Sequence, residues 1–157
     1  MATLTCRQHE AGGGKDTKLS SEIRMDAAAL NAFLARAFPE RGEGMARVSK
    51  VEPGRAWLAL EPATANLRPG GIVSGPTLMG LTDTAAYAVI LAHIGEVPMA
   101  VTSSLTYHFL RGCDFATVHA EASLLKLGRR LATVDVRIWT KDPARPVGQA
   151  SVVYALP

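Results

Sequence analysis

Between Pro69 and Gly95 the chain carries a single formally charged side chain, Asp83, in the middle of an otherwise apolar run. The run opens on the turn Gly70-Gly71, passes through Ser74-Gly75-Pro76 and closes at Gly95. Ser74 is a good helix N-cap, Pro76 sits in a first turn where its missing N–H costs nothing, and Gly95 is a stop signal. The pattern predicts one long helix reaching His93 or Ile94. Residues 76–94 are numerous enough to cross a bilayer. An Asp at the centre costs about 2.5–3.5 kcal/mol on insertion scales, however, and Thr77, Gly80, Thr82, Thr84 and His93 dilute the run further. A buried core helix is the better reading. A carboxylate buried without partners is expensive or shifts its pKa strongly. An acid in this setting is held by a cation or by hydroxyls for structure, or it has a chemical task.

The flanking sequence supplies what covers such a helix. Residues 1–24 are polar and glycine-containing, without an apolar period, and read as a flexible extension. Asp26 is an N-cap for a helix over residues 27–38, where Leu30, Phe33, Leu34 and Ala37 recur at i, i+3, i+4 and i+7, and Pro39 ends it. Two strands are predicted at 45–51 and 55–60 around the turn Glu52-Pro53-Gly54, and residues 62–71 form an irregular loop. Beyond the central helix, strands are expected at 99–110, 115–127, 131–140 and 147–156. In the first of these, alternation puts Thr102, Ser104, Thr106 and His108 on one face; in the third, Ala132, Val134, Val136 and Ile138 share a face. Helix, two strands, long helix, four strands describe an α+β chain, an antiparallel sheet curled around one helix.

At 157 residues, with 48% hydrophobic and 20% charged residues, this is one domain of residues 25–157 behind the extension. The net charge of +3 suits an anionic small ligand, but the basic residues form no dense run, so nucleic acid is not an expected partner. Two cysteines, Cys6 and Cys113, give neither a disulfide framework nor a metal-ligand spacing, and His93 and His108 fit no ligand spacing. The first 21 residues lack the apolar core of a signal peptide, so the default expectation is a reduced, cytoplasmic protein with no membrane association.

Four stretches carry a resemblance. They are residues 68–83 (RPGGIVSGPTLMGLTD), 101–111 (VTSSLTYHFLR), 125–131 (LKLGRRL) and 149–154 (QASVVY). With them the chain resembles the hotdog-fold acyl-CoA thioesterases, in particular the phenylacetate-pathway (PaaI-like) type. In that family a His-Gly-Gly element opens the central helix and an acid follows nine residues after the His. Counting back from Asp83 places the element on Ser74-Gly75-Pro76. The resemblance implies that Asp83 is the catalytic acid, that the Gly75 N–H polarises the thioester carbonyl, and that Thr102 helps to hold the attacking water. The usual His and Asn are here Ser74 and Arg68. It further implies an acyl-CoA substrate, no separate cofactor or metal, and often a tetramer.

The residues themselves constrain this chemistry. A helix N-terminal N–H is a ready oxyanion donor, and Asp83 can attack a carbonyl or deprotonate water. Gly75 and Asp83 lie about 12 Å apart along one helix at ~1.5 Å per residue, whereas both must approach the same reacting group. If both act, Gly75 of one subunit faces Asp83 of another across antiparallel helices, so the active unit is at least a dimer. Gly80 and Tyr87 share the Asp83 face, Gly80 permitting close approach and Tyr87 walling the pocket. Ser74 is a cap and substrate contact and not a nucleophile elbow, since Ile72 and Pro76 stand where glycines are required. Lys126, Arg129 and Arg130 cluster at a hairpin turn and suit the phosphates of coenzyme A, with Arg68 and Arg111 weaker candidates. Two other readings compete. One is a non-catalytic acyl-CoA-binding module. The other is a hydratase or dehydratase, which needs a His that residues 68–83 lack.

Overall fold

The computed structural model of the chain describes residues 22–44 and 46–157. Residues 1–21 of the expected extension lie outside these, as does Met45, the expected first residue of the first strand. Arg24 and Met25 already belong to the folded unit, their N–H groups donating to Ala92 O at 2.7 and 3.2 Å.

Helix α1 spans Ala27–Ala37, with the Asp26 carboxylate accepting the Ala29 N–H at 2.8 Å and Leu30, Phe33 and Leu34 buried. Pro39 ends it as expected, because a residue before proline is driven out of helical geometry; a short 3-10 turn, Pro39–Gly44, follows. Strands β1 (Arg47–Glu52) and β2 (Arg55–Leu60) pair across a turn in which Gly54 takes φ 75°. The expected irregular loop is more ordered than its composition suggests. It holds a 3-10 turn, Thr64–Asn66, and a miniature hairpin of β3 (Leu67–Arg68) and β4 (Ile72–Val73). Gly70 and Gly71 close that hairpin at φ 101° and 72°, conformations that L side chains avoid.

Helix α2, Gly75–Ile94, is buried on most of its circumference, as a helix apolar all round must be. Length and composition alone would let it cross a membrane, but it is mostly enclosed by the protein. Strands β5 (Val101–Phe109), β6 (Val118–Leu127), β7 (Leu131–Trp139) and β8 (Gly148–Ala155) complete a six-stranded antiparallel sheet of order β1-β2-β6-β7-β8-β5. The sheet curves round α2, and Ala132, Val134, Val136 and Ile138 all point inward and are fully buried, as the alternation predicts. Ala85, Ala86, Ala88 and Ala92 keep the helix surface low and are fully buried. His93 ties the end of α2 to the β1–β2 turn: its Nδ1 lies 2.8 Å from Val89 O, and its Nε2 accepts the Gly54 N–H at 2.9 Å.

One predicted face is wrong. In β5 the pairing with β8 shifts between Thr102 and Ser104. The bulge absorbs one residue and reverses the alternation beyond it. Thr102 points at α2, but Leu105, Tyr107 and Phe109 follow it on that side, while Ser104, Thr106 and His108 are exposed.

Candidate active site

Asp83 lies two turns into α2, half-buried, and Thr102 and Tyr154 are direct cross-strand partners on β5 and β8 in front of it. Partners in register present their side chains to the same face. Thr102 Oγ1 donates to Asp83 Oδ1 at 2.6 Å, and the Tyr154 hydroxyl donates to the same oxygen at 2.7 Å. Tyr154 also stands 3.2 Å from the Asp83 carbonyl oxygen. Among the described residues no cation pairs with Asp83 and no donor reaches Oδ2. A carboxylate held purely for structure has hydroxyl partners too. What sets this one apart is the free oxygen and the space beside it.

That space is a cavity of about 270 Å³ lined by Leu34, Phe38, Tyr87, Pro98, Ala100 and Val101 together with Asp83, Thr84, Thr102 and Tyr154. Tyr87 walls it, as expected, and its ring stacks on Tyr154 with centroids 5.8 Å apart and planes at 14°. Burial raises the Tyr87 phenol. Burial first, then the negative charge of Asp83, drives the Tyr154 phenol far above its usual value, so it remains a proton donor.

Gly75 opens onto a different cavity, of about 360 Å³, lined by Arg68, Ile72, Leu78, Phe109, Leu110, Arg111 and Cys113 among others. As the first residue of α2 it has no intrahelical acceptor for its N–H. The helix's backbone bonding begins only with Leu78 N–H to Ser74 O at 3.2 Å. A Cβ at Gly75 would stand 3.1 Å from Cζ of Phe109. Ser74 occupies the N-cap position, but its hydroxyl pairs with Thr77 Oγ1 at 2.9 Å and caps no backbone N–H. Arg68 is exposed on β3, and Arg111 donates to Pro146 O at 2.6 Å. Gly80 lines a third, smaller cavity with Thr77 and Thr84, and does not reach that of Asp83.

Arg129 and Arg130 are exposed in the predicted β6–β7 turn, and Lys126 is exposed at the end of β6, opposite Thr133. The register fixes where that turn lies. Ala132, Tyr154 and Thr102 form one row across β7, β8 and β5, and Leu131, Ala155 and Val101 the next. The cationic turn therefore sits at the Asp83 end of the sheet, two strand spacings from β5, about 10 Å. Among the described residues no histidine lines any of these three cavities.

The sequence profile of the thioesterase superfamily matches residues 70–147, the span that holds α2, β5, β6 and β7. Among solved structures, a Silicibacter protein classed as a thioesterase is 33% identical over 87% of this chain and 95% of its own, with a TM-score of 0.79. The chain belongs to the thioesterase superfamily. It is a hotdog-fold thioester hydrolase of the PaaI-like type. The phenylacetic acid degradation protein PaaI from Thermus thermophilus is 25% identical over 76% of this chain and 99% of its own, at a TM-score of 0.66. Thioesterase HI1161 from Haemophilus influenzae, 15% identical over 88% of this chain and 94% of its own, shares the fold at a TM-score of 0.72. No functionally curated protein matches the chain.

Sequence reasoning missed Tyr154 as a member of this site. The signal was present: Ala150, Val152 and Tyr154 alternate onto the helix side of β8. A buried tyrosine hydroxyl there needs a polar partner, and the predicted helix carries one acid.

Proposed function

We propose that the protein hydrolyses acyl-CoA thioesters at two equivalent sites of a homodimer. Each site joins Asp83 of one subunit to the Gly75 N–H of the other. The observation that carries this reading is the separation of the two groups. Asp83 and Gly75 open onto cavities that share no lining residue among the described residues, so one subunit offers an acid without an oxyanion donor and a donor without an acid.

Asp83 Oδ2 acts in one of two ways. It attacks the thioester carbonyl carbon, giving a mixed anhydride as coenzyme A leaves as thiolate, and water then cleaves the anhydride. Alternatively it takes a proton from a water that attacks directly. Both routes place negative charge on the carbonyl oxygen, which a preorganised N–H at a helix N-terminus stabilises. Thr102, bonded to Oδ1, helps to hold the attacking water. The acyl group fills the cavity lined by Phe38 and Tyr87, and Lys126, Arg129 and Arg130 hold the nucleotide phosphates.

The surface supports such a dimer. β5 is an edge strand, and Val101, Phe109 and Leu110 are all at least half exposed along it or just beyond. Pro76, Met79 and Gly80 form an exposed strip of α2 between the two half-sites. An unpaired apolar edge beside an exposed helix strip invites a second copy. Higher assembly to a tetramer is part of the same proposal. The test is Asp83→Asn against a panel of CoA thioesters: the wild type hydrolyses at least one and the variant loses that activity by about 10³-fold or more. Unchanged hydrolysis by the variant removes the mechanism, and no hydrolysis by the wild type favours a binding module.

A further inference from the structure

The geometry points to Tyr154 as the positioning residue that aims the Asp83 carboxylate, so that Oδ2 and not Oδ1 does the chemistry. This inference rests on the reading of Asp83 as the working acid.

A carboxylate on a helix rotates about two side-chain bonds, and its outer torsion is broad. An acid that must meet a carbonyl within about 3 Å needs that freedom removed. Thr102 alone does not remove it. It is exposed, it sits beside the β5 bulge, and its hydroxyl can follow the carboxylate as it turns. Tyr154 differs in each respect. It is 3% exposed, and its rigid ring is stacked on Tyr87, which itself packs against Phe33 and Phe38 at centroid distances of 6.1 and 6.5 Å. Its hydroxyl meets both Oδ1 and the carbonyl oxygen of the same residue, so it fixes the side chain relative to the helix backbone. With two hydroxyl donors on Oδ1, that oxygen's accepting directions are largely occupied, and Oδ2 is left towards the cavity.

The same stack explains how the cavity and the acid are linked. Tyr87 and Phe38 line the space proposed for the acyl group, and Tyr87 lies flat on the ring that aims Asp83. Tyr154 touches no reacting atom in this arrangement. It acts through Asp83.

The experiment compares wild type, Asp83→Asn, Thr102→Val and Tyr154→Phe on a CoA thioester that the wild type hydrolyses. Tyr154→Phe keeps the ring and its stacking and removes only the donor. The expected result is a fall in kcat of about ten- to a hundredfold, the usual size for a lost hydrogen bond to a charged group, with KM and the melting temperature held. Thr102→Val, with Tyr154 intact, loses less. Tyr154→Phe with wild-type kcat overturns the inference, provided Asp83→Asn is inactive. A fall in kcat that follows a fall in melting temperature, or that comes with an equal rise in KM, overturns it too. If Asp83→Asn itself retains activity, the reading of Asp83 fails, and the inference fails with it.

Discussion

Gly75 and Asp83 share one helix, eight residues apart, and open onto cavities that share no lining residue among the described residues. A rigid helix cannot bend these two groups onto one thioester, so the proposed site needs two chains. Subunit mixing tests this directly. Gly75→Pro and Asp83→Asn are each expected to be inactive as homodimers. In a mixed dimer one site collects both lesions and the other collects none. After random reassortment half of the dimers are mixed, each with one working site, and activity recovers to about a quarter of wild type. Mixtures that stay inactive, although native mass spectrometry shows exchange, sink the shared site.

The glycine is open to a finer test, because it has two reasons to be there. Its N–H is the proposed donor, and its missing Cβ leaves room for the Phe109 ring. Gly75→Ala keeps the donor and asks the half-exposed Phe109 to shift by a few tenths of an ångström. Gly75→Pro deletes the donor at a helix position that tolerates proline, after a Ser74 already extended at ψ 151°. We expect Ala to cost less than about tenfold in kcat and Pro about 10²–10³-fold, as for loss of one oxyanion donor. Equal losses in the two variants make the role of Gly75 steric only.

Much of this was legible in the sequence, and what was not has local causes. The boundaries of α2 followed from Ser74, Pro76 and Gly95, and its buried character from the single acid in an apolar run. The pairing of α2 with the inward residues of β7 followed from period-two alternation. The face of β5 did not, because a bulge is one extra residue whose position depends on the partner strand. Tyr154 was hidden for a related reason: its link to Asp83 is tertiary and spans 71 positions. Ser74 shows the same limit on a small scale, since capping by the backbone and bonding to Thr77 look identical in sequence.

Cys113 is 1% exposed, and burial first, then the neighbouring Asp114, pushes its thiol up to about 11. The thiolate is the reactive form, so alkylation of Cys113 by iodoacetamide at pH 8.5 is expected to be slow in the folded protein and fast in urea. The sign for stability follows. The folded state holds the proton more tightly than the unfolded one, so this contribution is fully present below the unfolded thiol's pKa and is lost as pH rises towards 11. Peptide mapping at several pH values checks the first expectation. Melting curves of wild type and Cys113→Ala between pH 8 and 11 check the second.

The cationic turn predicts a split in kinetic constants. Arg129 and Arg130 lie at the Asp83 end of the sheet but about 10 Å from β5, too far to touch a reacting carbonyl. Arg129→Glu with Arg130→Glu is expected to raise KM for CoA thioesters by about tenfold or more while leaving kcat within about twofold. The matching pantetheine thioester, which lacks the nucleotide, should be hydrolysed equally by both proteins. An equal effect on the two substrates places the nucleotide elsewhere.

Gly80 separates the demands of one chain from those of the pair. Among the described residues of a subunit a Cβ there meets nothing within 4 Å, and a glycine inside a helix costs about 1 kcal/mol against alanine. Judged on one chain alone, larger residues should be neutral or stabilising. Yet Gly80 lies on the exposed strip with Pro76 and Met79, midway between Gly75 and Asp83, where two antiparallel copies of α2 cross most closely in the proposed dimer. Gly80→Leu is therefore expected to keep the secondary structure and melting behaviour of a folded subunit. It should sediment as a monomer and lose at least about a hundredfold in kcat/KM, because neither half-site then meets its complement. A Gly80→Leu dimer with wild-type activity contradicts the helix-to-helix arrangement, even if the protein proves dimeric through some other face.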